Sequence, residues 1–147
     1  MIRLIPERLV APLERIEIGA QSLLLLAMRL YIVWVFFRSG LTKIQSWDTT
    51  LTLFEYEYAV PLLSPTVAAW LATFGELAFP ALLSVGLFTR FVALGLFVLN
   101  VVAATSYPDL SPAGLNDHYF WGAMLATLAV FGGGRLAVDA WLFRRST

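Results

Sequence analysis

The chain has 147 residues, 59% of them hydrophobic and 14% charged, with a formal net charge of zero and a mean hydropathy of +0.77. So few charges cannot coat a soluble globule of this size, which places the chain among integral membrane proteins, and a neutral balance offers no cationic surface to a nucleic-acid backbone. Having no cysteine and a single histidine, His118, it can form no disulfide, thiolate metal site or bis-histidine haem, so any electron carrier must be borrowed.

The opening MIRLIPERLVAPLERIEIGA mixes acids, bases and two prolines. It does not read as a cleavable signal sequence, and residues 1–20 are expected to lie on the membrane as a cytoplasmic or interfacial segment. Four apolar spans follow, at about 21–44, 65–85, 89–106 and 117–134, against the roughly 20 residues a crossing requires. Ser64-Pro65 is a helix-start signal, Gly86 a C-terminal cap, and Tyr107-Pro108 a stop. Residues 45–64 form an acidic, aromatic outer loop carrying Trp47, Phe54, Tyr56 and Tyr58, and residues 135–147 are a C-terminal extension after the glycines Gly132, Gly133 and Gly134.

The expected fold is an all-α integral membrane protein: one domain over residues 1–147, a four-transmembrane-helix bundle. Arg3, Arg8, Arg15, Arg90, Arg144 and Arg145 fall on one side, and the two opposite loops contain no Lys or Arg, although Lys43 borders the first. The positive-inside rule then makes both termini cytoplasmic and the protein a multi-pass one.

Ionisable groups within spans are costly and mark candidate functional positions. Arg38 interrupts YIVWVFFRSGLTK in span one. Its helix runs outward and side chains tilt toward a helix N-terminus, so Arg38 aims inward, about 9 Å below the outer surface. Glu76, about 16 Å down span two, tilts outward to meet it. An Arg38–Glu76 pair is therefore expected, with Arg29, on the opposite face of span one, able to reach Glu76 from below in a shared network. Asn100, His118, Trp121 and Tyr107 converge in the same outer half. Together with Arg38 and Glu76 they make a candidate ligand site whose apolar walls and few polar groups suit a small amphipathic molecule such as a quinone. The equally open structural alternative is that these residues only lock helix packing. No catalytic residue and no metal-ligand cluster is evident.

The order of Arg29-Leu30, Gly40-Leu41-Thr42-Lys43, Glu76, Gly86-Leu87-Phe88-Thr89-Arg90, and Gly132 to Arg135 with Gly134 and then Asp139 resembles the DoxX/DoxD family of small four-helix membrane proteins. SGLTKIQSWDTTLTLFEYEYAVPLL is similar to a bacterial subgroup associated with gene clusters for metal-binding peptides. Arg38 is not part of the general family pattern, so the resemblance implies Arg29 as the partner of Glu76. It also implies membrane subunits attached to redox systems, including a thiosulfate:quinone oxidoreductase, with no covalent cofactor. Three readings stay open. The chain is a redox-associated subunit that binds quinone, at most part of a quinone-linked oxidoreductase; a non-enzymatic assembly or support protein; or a carrier of small solutes or metal ions. Membrane lipid is the certain neighbour, and a protein partner from a redox or metal-peptide system, or further copies of the chain, would complete the assembly.

Overall fold

The computed structural model describes residues 7–143. Arg3, Arg144 and Arg145, used above to orient the chain, lie outside them. Six helices follow in order: α1 Glu7–Gln45, α2 Trp47–Tyr56, α3 Pro65–Val85, α4 Thr89–Ser106, α5 Pro112–Phe131 and α6 Val138–Leu142. No strand occurs among the described residues.

Four long helices close a ring in which α1 packs on α3, α3 on α4, α4 on α5 and α5 back on α1. Leu25, Ile32 and Phe36 of α1 meet Leu83 of α3, Val92, Ala93 and Leu96 of α4, and Leu125 and Leu128 of α5 in one core. The α1 members recur at spacings of seven and four, which puts them on one helical face. The outward faces are equally apolar: Trp34, Phe37, Phe74, Leu94, Val98, Val101 and Phe120 are all exposed. Such a surface needs an apolar solvent, and α1, α3 and α4 are long and apolar enough to cross a bilayer. With 20 residues, α5 has the length of a crossing helix, but Asn116, Asp117 and His118 make its first turns polar.

Helices α3 and α4 have the bounds predicted for them. Pro65 occupies the first turn of α3, and Gly86 ends it in the left-handed conformation at φ 74°, where a side chain would be strained. Helix α5 starts five residues earlier than expected, because Ser111-Pro112 repeats the Ser-Pro start: the Ser111 hydroxyl accepts a hydrogen bond from the Gly114 N–H. The three glycines end it at Phe131 rather than at 134.

Two other differences alter the map. The segment before the first span forms, from Glu7 onward, the start of α1, and Pro12 falls in its second turn, where it removes only one hydrogen bond. The helix of 39 residues is about 58 Å long, against about 30 Å of hydrocarbon, and Ala11 to Glu17 are exposed throughout. The supposed outer loop contains α2, whose Thr50 and Phe54 are buried. Phe54 packs with Ala68 and Ala69 of α3, and Trp47 lies 4.4 Å from Trp70 between ring centroids.

At the end of the bundle opposite α2, a polar clasp ties four segments together. Arg29 is 1% exposed. Its guanidinium donates to the carbonyls of Gly133 at 3.3 Å and Leu136 at 3.4 Å. A Cβ on Gly133 would stand 2.7 Å from the Thr89 hydroxyl and 2.8 Å from the guanidinium, so only glycine allows that approach. Asp139 accepts hydrogen bonds from the N–H groups of Phe88 and Thr89, both at 2.7 Å, and its own N–H donates to Gly86 O. The carboxylate thus caps α4 from 50 residues downstream, holds Phe88 at a positive φ of 51°, and balances the Arg29 charge. Arg29, Gly134 and Asp139 belong to this clasp, and Arg90 flanks it.

Asp139→Ala is expected to cost about 1–2 kcal/mol, the usual worth of a lost N-terminal cap, whereas Asp139→Asn, which keeps one acceptor oxygen, should lose less. Thermal unfolding of both variants in one detergent tests this, and equal stability of Asp139→Ala and the parent would refute the capping role.

Candidate functional site

At the α2 end the sequence places a carboxylate inside an apolar helix, and the structure supplies its cation. Glu76 Oε2 accepts a hydrogen bond from Lys43 Nζ at 2.6 Å, with the two side chains 12% and 18% exposed. Lys43 also donates to Ser39 Oγ at 2.9 Å. This replaces the expected Arg38–Glu76 pair. Arg38 is exposed, its guanidinium carbon 5.6 Å from the Trp34 ring centroid, a cation–π contact on the outer face of α1. Nor does Arg29 reach Glu76, being held in the clasp at the other end.

The reason is where α1 ends. Gly40 lies so close to α3 that a Cβ there would be 2.8 Å from the Leu77 side chain and 3.1 Å from Glu76 Cβ. Helix α3 continues about 17 Å beyond this contact while α1 stops after five more residues. Helix α2 covers the uncovered first turns of α3, and the Thr50 hydroxyl donates to Lys43 O at 2.9 Å. Lys43, which looks like a border residue when depth is counted from Gln45, is roofed by α2. It also lies fourteen residues, almost four whole turns, after Arg29, on the buried face.

Glu76, Tyr107, His118 and Trp121 line one cavity of about 240 Å3 together with Ser39, Lys43 and Tyr58. Asn100 stands behind it: its Oδ1 lies 2.8 Å from His118 Nδ1 and its Nδ2 donates to His118 O at 2.9 Å. Because a carbonyl can only accept, that second bond fixes the amide orientation. Oδ1 then faces the imidazole, Nδ1 carries the proton, and neutral His118 keeps Nε2 as an acceptor. The His118 ring meets Trp121 edge-on at 4.9 Å. Tyr58 stacks on Phe54 at 4.8 Å and approaches Tyr107 at 5.2 Å.

Burial and the Glu76 carboxylate raise the Tyr58 pKa above its ordinary value, and a hydrogen bond to Glu57 raises that of Tyr107. Both phenols are thus held protonated at neutral pH, as hydroxyl donors. A second cavity of about 240 Å3 adjoins the first, sharing Lys43, Tyr58, Glu76, Leu99 and Ala103, and runs between α3 and α4 past Leu71, Val98 and Val102. Leu71 and Val98 are themselves exposed on the outer surface. One chamber is polar and the next apolar.

Five of the six predicted ligand residues are therefore gathered here, four in the wall and Asn100 behind it, while Arg38 is not. Lys43 as the partner of Glu76, Ser39 and Tyr58 were missed. Lys43 and Ser39 lie one turn apart beside Gly40, a signal that a count along the buried face of span one would have found. Tyr58 depends on the fold of the α2 segment, which local pattern did not reveal.

A protein-family model described as DoxX matches residues 24–108. That range contains Arg29, Gly40, Lys43, Glu76 and Arg90, but not Gly134 or Asp139, which complete the clasp. An uncharacterized protein of Haemophilus influenzae is similar, 34% identical over 124 residues, covering 78% of this chain and 80% of that one. No solved structure matches the chain. With the family pattern spread over α1 to α4 and more than half the residues matched, this chain belongs to the DoxX family of membrane proteins.

Proposed function

We propose that the protein is a redox-associated subunit of a bacterial inner membrane and binds a quinone or similar small amphipathic ligand beneath α2. In this reading α5 is the fourth crossing helix, both termini face the cytoplasm and the α2 end faces outward, as the distribution of arginines argues. The observation that carries it is the pair of adjoining chambers. A head group in the polar chamber meets the Lys43 ammonium, the Tyr58 hydroxyl and His118 Nε2 beside the Tyr107 ring, while an isoprenoid tail follows the apolar chamber to the lipid-facing surface between α3 and α4. Quinone carbonyls require donors, and the Lys43 ammonium and the Tyr58 hydroxyl supply them. Reduction also requires protons, for which His118 and the Lys43–Glu76 pair are suitably placed acid–base groups. Electrons come from a partner, since the chain has no redox-active side-chain pair of its own. No covalent cofactor is required.

One observation favours the support reading as a second choice. The first turns of α1 extend past the clasp with Leu13 and Ile16 exposed among Glu14, Arg15 and Glu17, a free helical arm of the kind a partner protein from a redox or metal-peptide system, or another copy of the chain, would take up.

Solvent extraction of the protein purified in mild detergent, followed by mass spectrometry against a matched membrane-protein control, should yield near-stoichiometric quinone that Glu76→Ala loses. Quinone at control level in the parent protein would overturn the ligand and leave the support reading. A double-mutant cycle separates binding from packing. Lys43→Met leaves Glu76 without its cation and should cost about 2 kcal/mol, below the roughly 3–5 kcal/mol of a fully buried pair because these side chains retain some solvent. Lys43→Met with Glu76→Leu should recover most of that stability without recovering quinone. Quinone retained by the stable double variant would make the pair a packing device only.

A further inference from the structure

A further cavity lies away from the Lys43–Glu76 site, at the clasp end of the bundle. Its volume is about 620 Å3, and it is walled by Phe88, Phe91, Phe131 and Phe143 with Arg90 among them. Arg90 lies along the backbone of Gly132: a Cβ there would stand 3.4 Å from Arg90 Nε. The carboxylate nearest the cavity, Asp139, has both oxygens engaged by the N–H groups of Phe88 and Thr89. The one ion pair among the described residues is Lys43–Glu76, so Arg90 has no acidic partner there, and Arg135 is exposed at the same end.

Position decides what such a cavity meets. Helix α4 begins at Thr89 and α5 ends at Phe131, so the cavity lies where two long apolar helices end, beside Arg90 and Arg135, the level at which basic and aromatic side chains meet lipid head groups. At that level the exposed rings of Phe91 and Phe131 suit acyl chains, and a guanidinium with no acidic partner among the described residues suits a phosphate. Water alone would leave four aromatic rings around a wet hollow. A zwitterionic lipid would bring its own cation to Arg90.

We propose that this cavity is a binding site for one anionic phospholipid, its phosphate on Arg90 and an acyl chain along Phe91 and Phe131. The site is independent of the quinone reading, and neither depends on the other. Anchored there, the lipid bridges the start of α4, the end of α5 and α6, the same elements the Asp139 cap joins, so it would reinforce the clasp from the membrane side.

Native mass spectrometry of the detergent-purified protein, offered phosphatidylglycerol and phosphatidylcholine with matched acyl chains, tests this. The parent should retain phosphatidylglycerol in preference by about fivefold or more, the worth of one arginine near an anionic head group. Arg90→Gln should bring the ratio to near one, while Arg90→Lys keeps most of it. Ala140→Trp, which obstructs the cavity and leaves every charge in place, should also reduce the preference, so the proposal stays testable if Arg90→Gln fails to fold. Equal retention of the two lipids by the parent, or a preference undiminished in the obstructed variant, would overturn the site.

Discussion

A guanidinium held almost out of solvent between helix ends must find acceptors on chain segments that cannot move, and Arg29 finds them in the carbonyls of Gly133 and Leu136. The glycine break after α5 keeps those carbonyls from continuing a helix. The turn between α3 and α4 admits the guanidinium because Gly86 and Gly133 carry no side chain. Asp139 compensates the charge while capping α4. Arginine, glycines and aspartate are thus one device, and removing any of them leaves a buried donor or a buried charge without its partner. The heights of all four long helices follow from it.

From that fixed end, α1 and α3 run side by side until Gly40 meets Leu77, and there their lengths part. The shortfall of α1 creates a roofless stretch of α3, which α2 covers with Trp47 and Phe54. The cover turns Lys43 from a membrane-border lysine into the half-buried partner of Glu76. The polar chamber exists because this roof spans a gap between helices of unequal length. Pro80 adds to the local irregularity of α3, since it has no N–H to offer the Glu76 carbonyl one turn earlier. A charge pair, a carbonyl left without its helical donor and a cavity coincide at one level.

How much of this was legible in the sequence follows the range of each signal. Ser64-Pro65, Gly86 and Tyr107-Pro108 are local, and the helices they bound came out with the predicted limits. Ser111-Pro112 carried the same signal, but the polar residues Asn116 to His118 drew the expected start of α5 past it. The Arg29, Gly134 and Asp139 pattern was legible as a family resemblance, yet its meaning as a clasp was not, because it joins α1 to a segment more than 100 residues away. The Arg38–Glu76 expectation failed on a single assumption, that depth can be counted from the last residue of a helix. The face of the helix outweighs the tilt along it: Arg38 lies opposite Arg29 and the core stripe of Leu25, Ile32 and Phe36, and Lys43 lies with them.

The same geometry explains why one small chain would have two amphipathic hollows at opposite ends. Four-helix bundles can hold a ligand between facing helices, but the middle of this one is filled by Ile32, Phe36, Leu96 and Leu125. Space opens only where helices end at different heights or turn away from the bundle, and those are the levels at which the surroundings change from hydrocarbon to head group. A hollow at such a level has apolar walls on one side and charged side chains on the other. Lys43 with Glu76 under α2, and Arg90 beside the glycine break, are therefore two outcomes of one constraint, distinguished by whether the cation is already paired. The paired one can exchange protons with a neutral head group, and the one without an acidic partner among the described residues suits an anion.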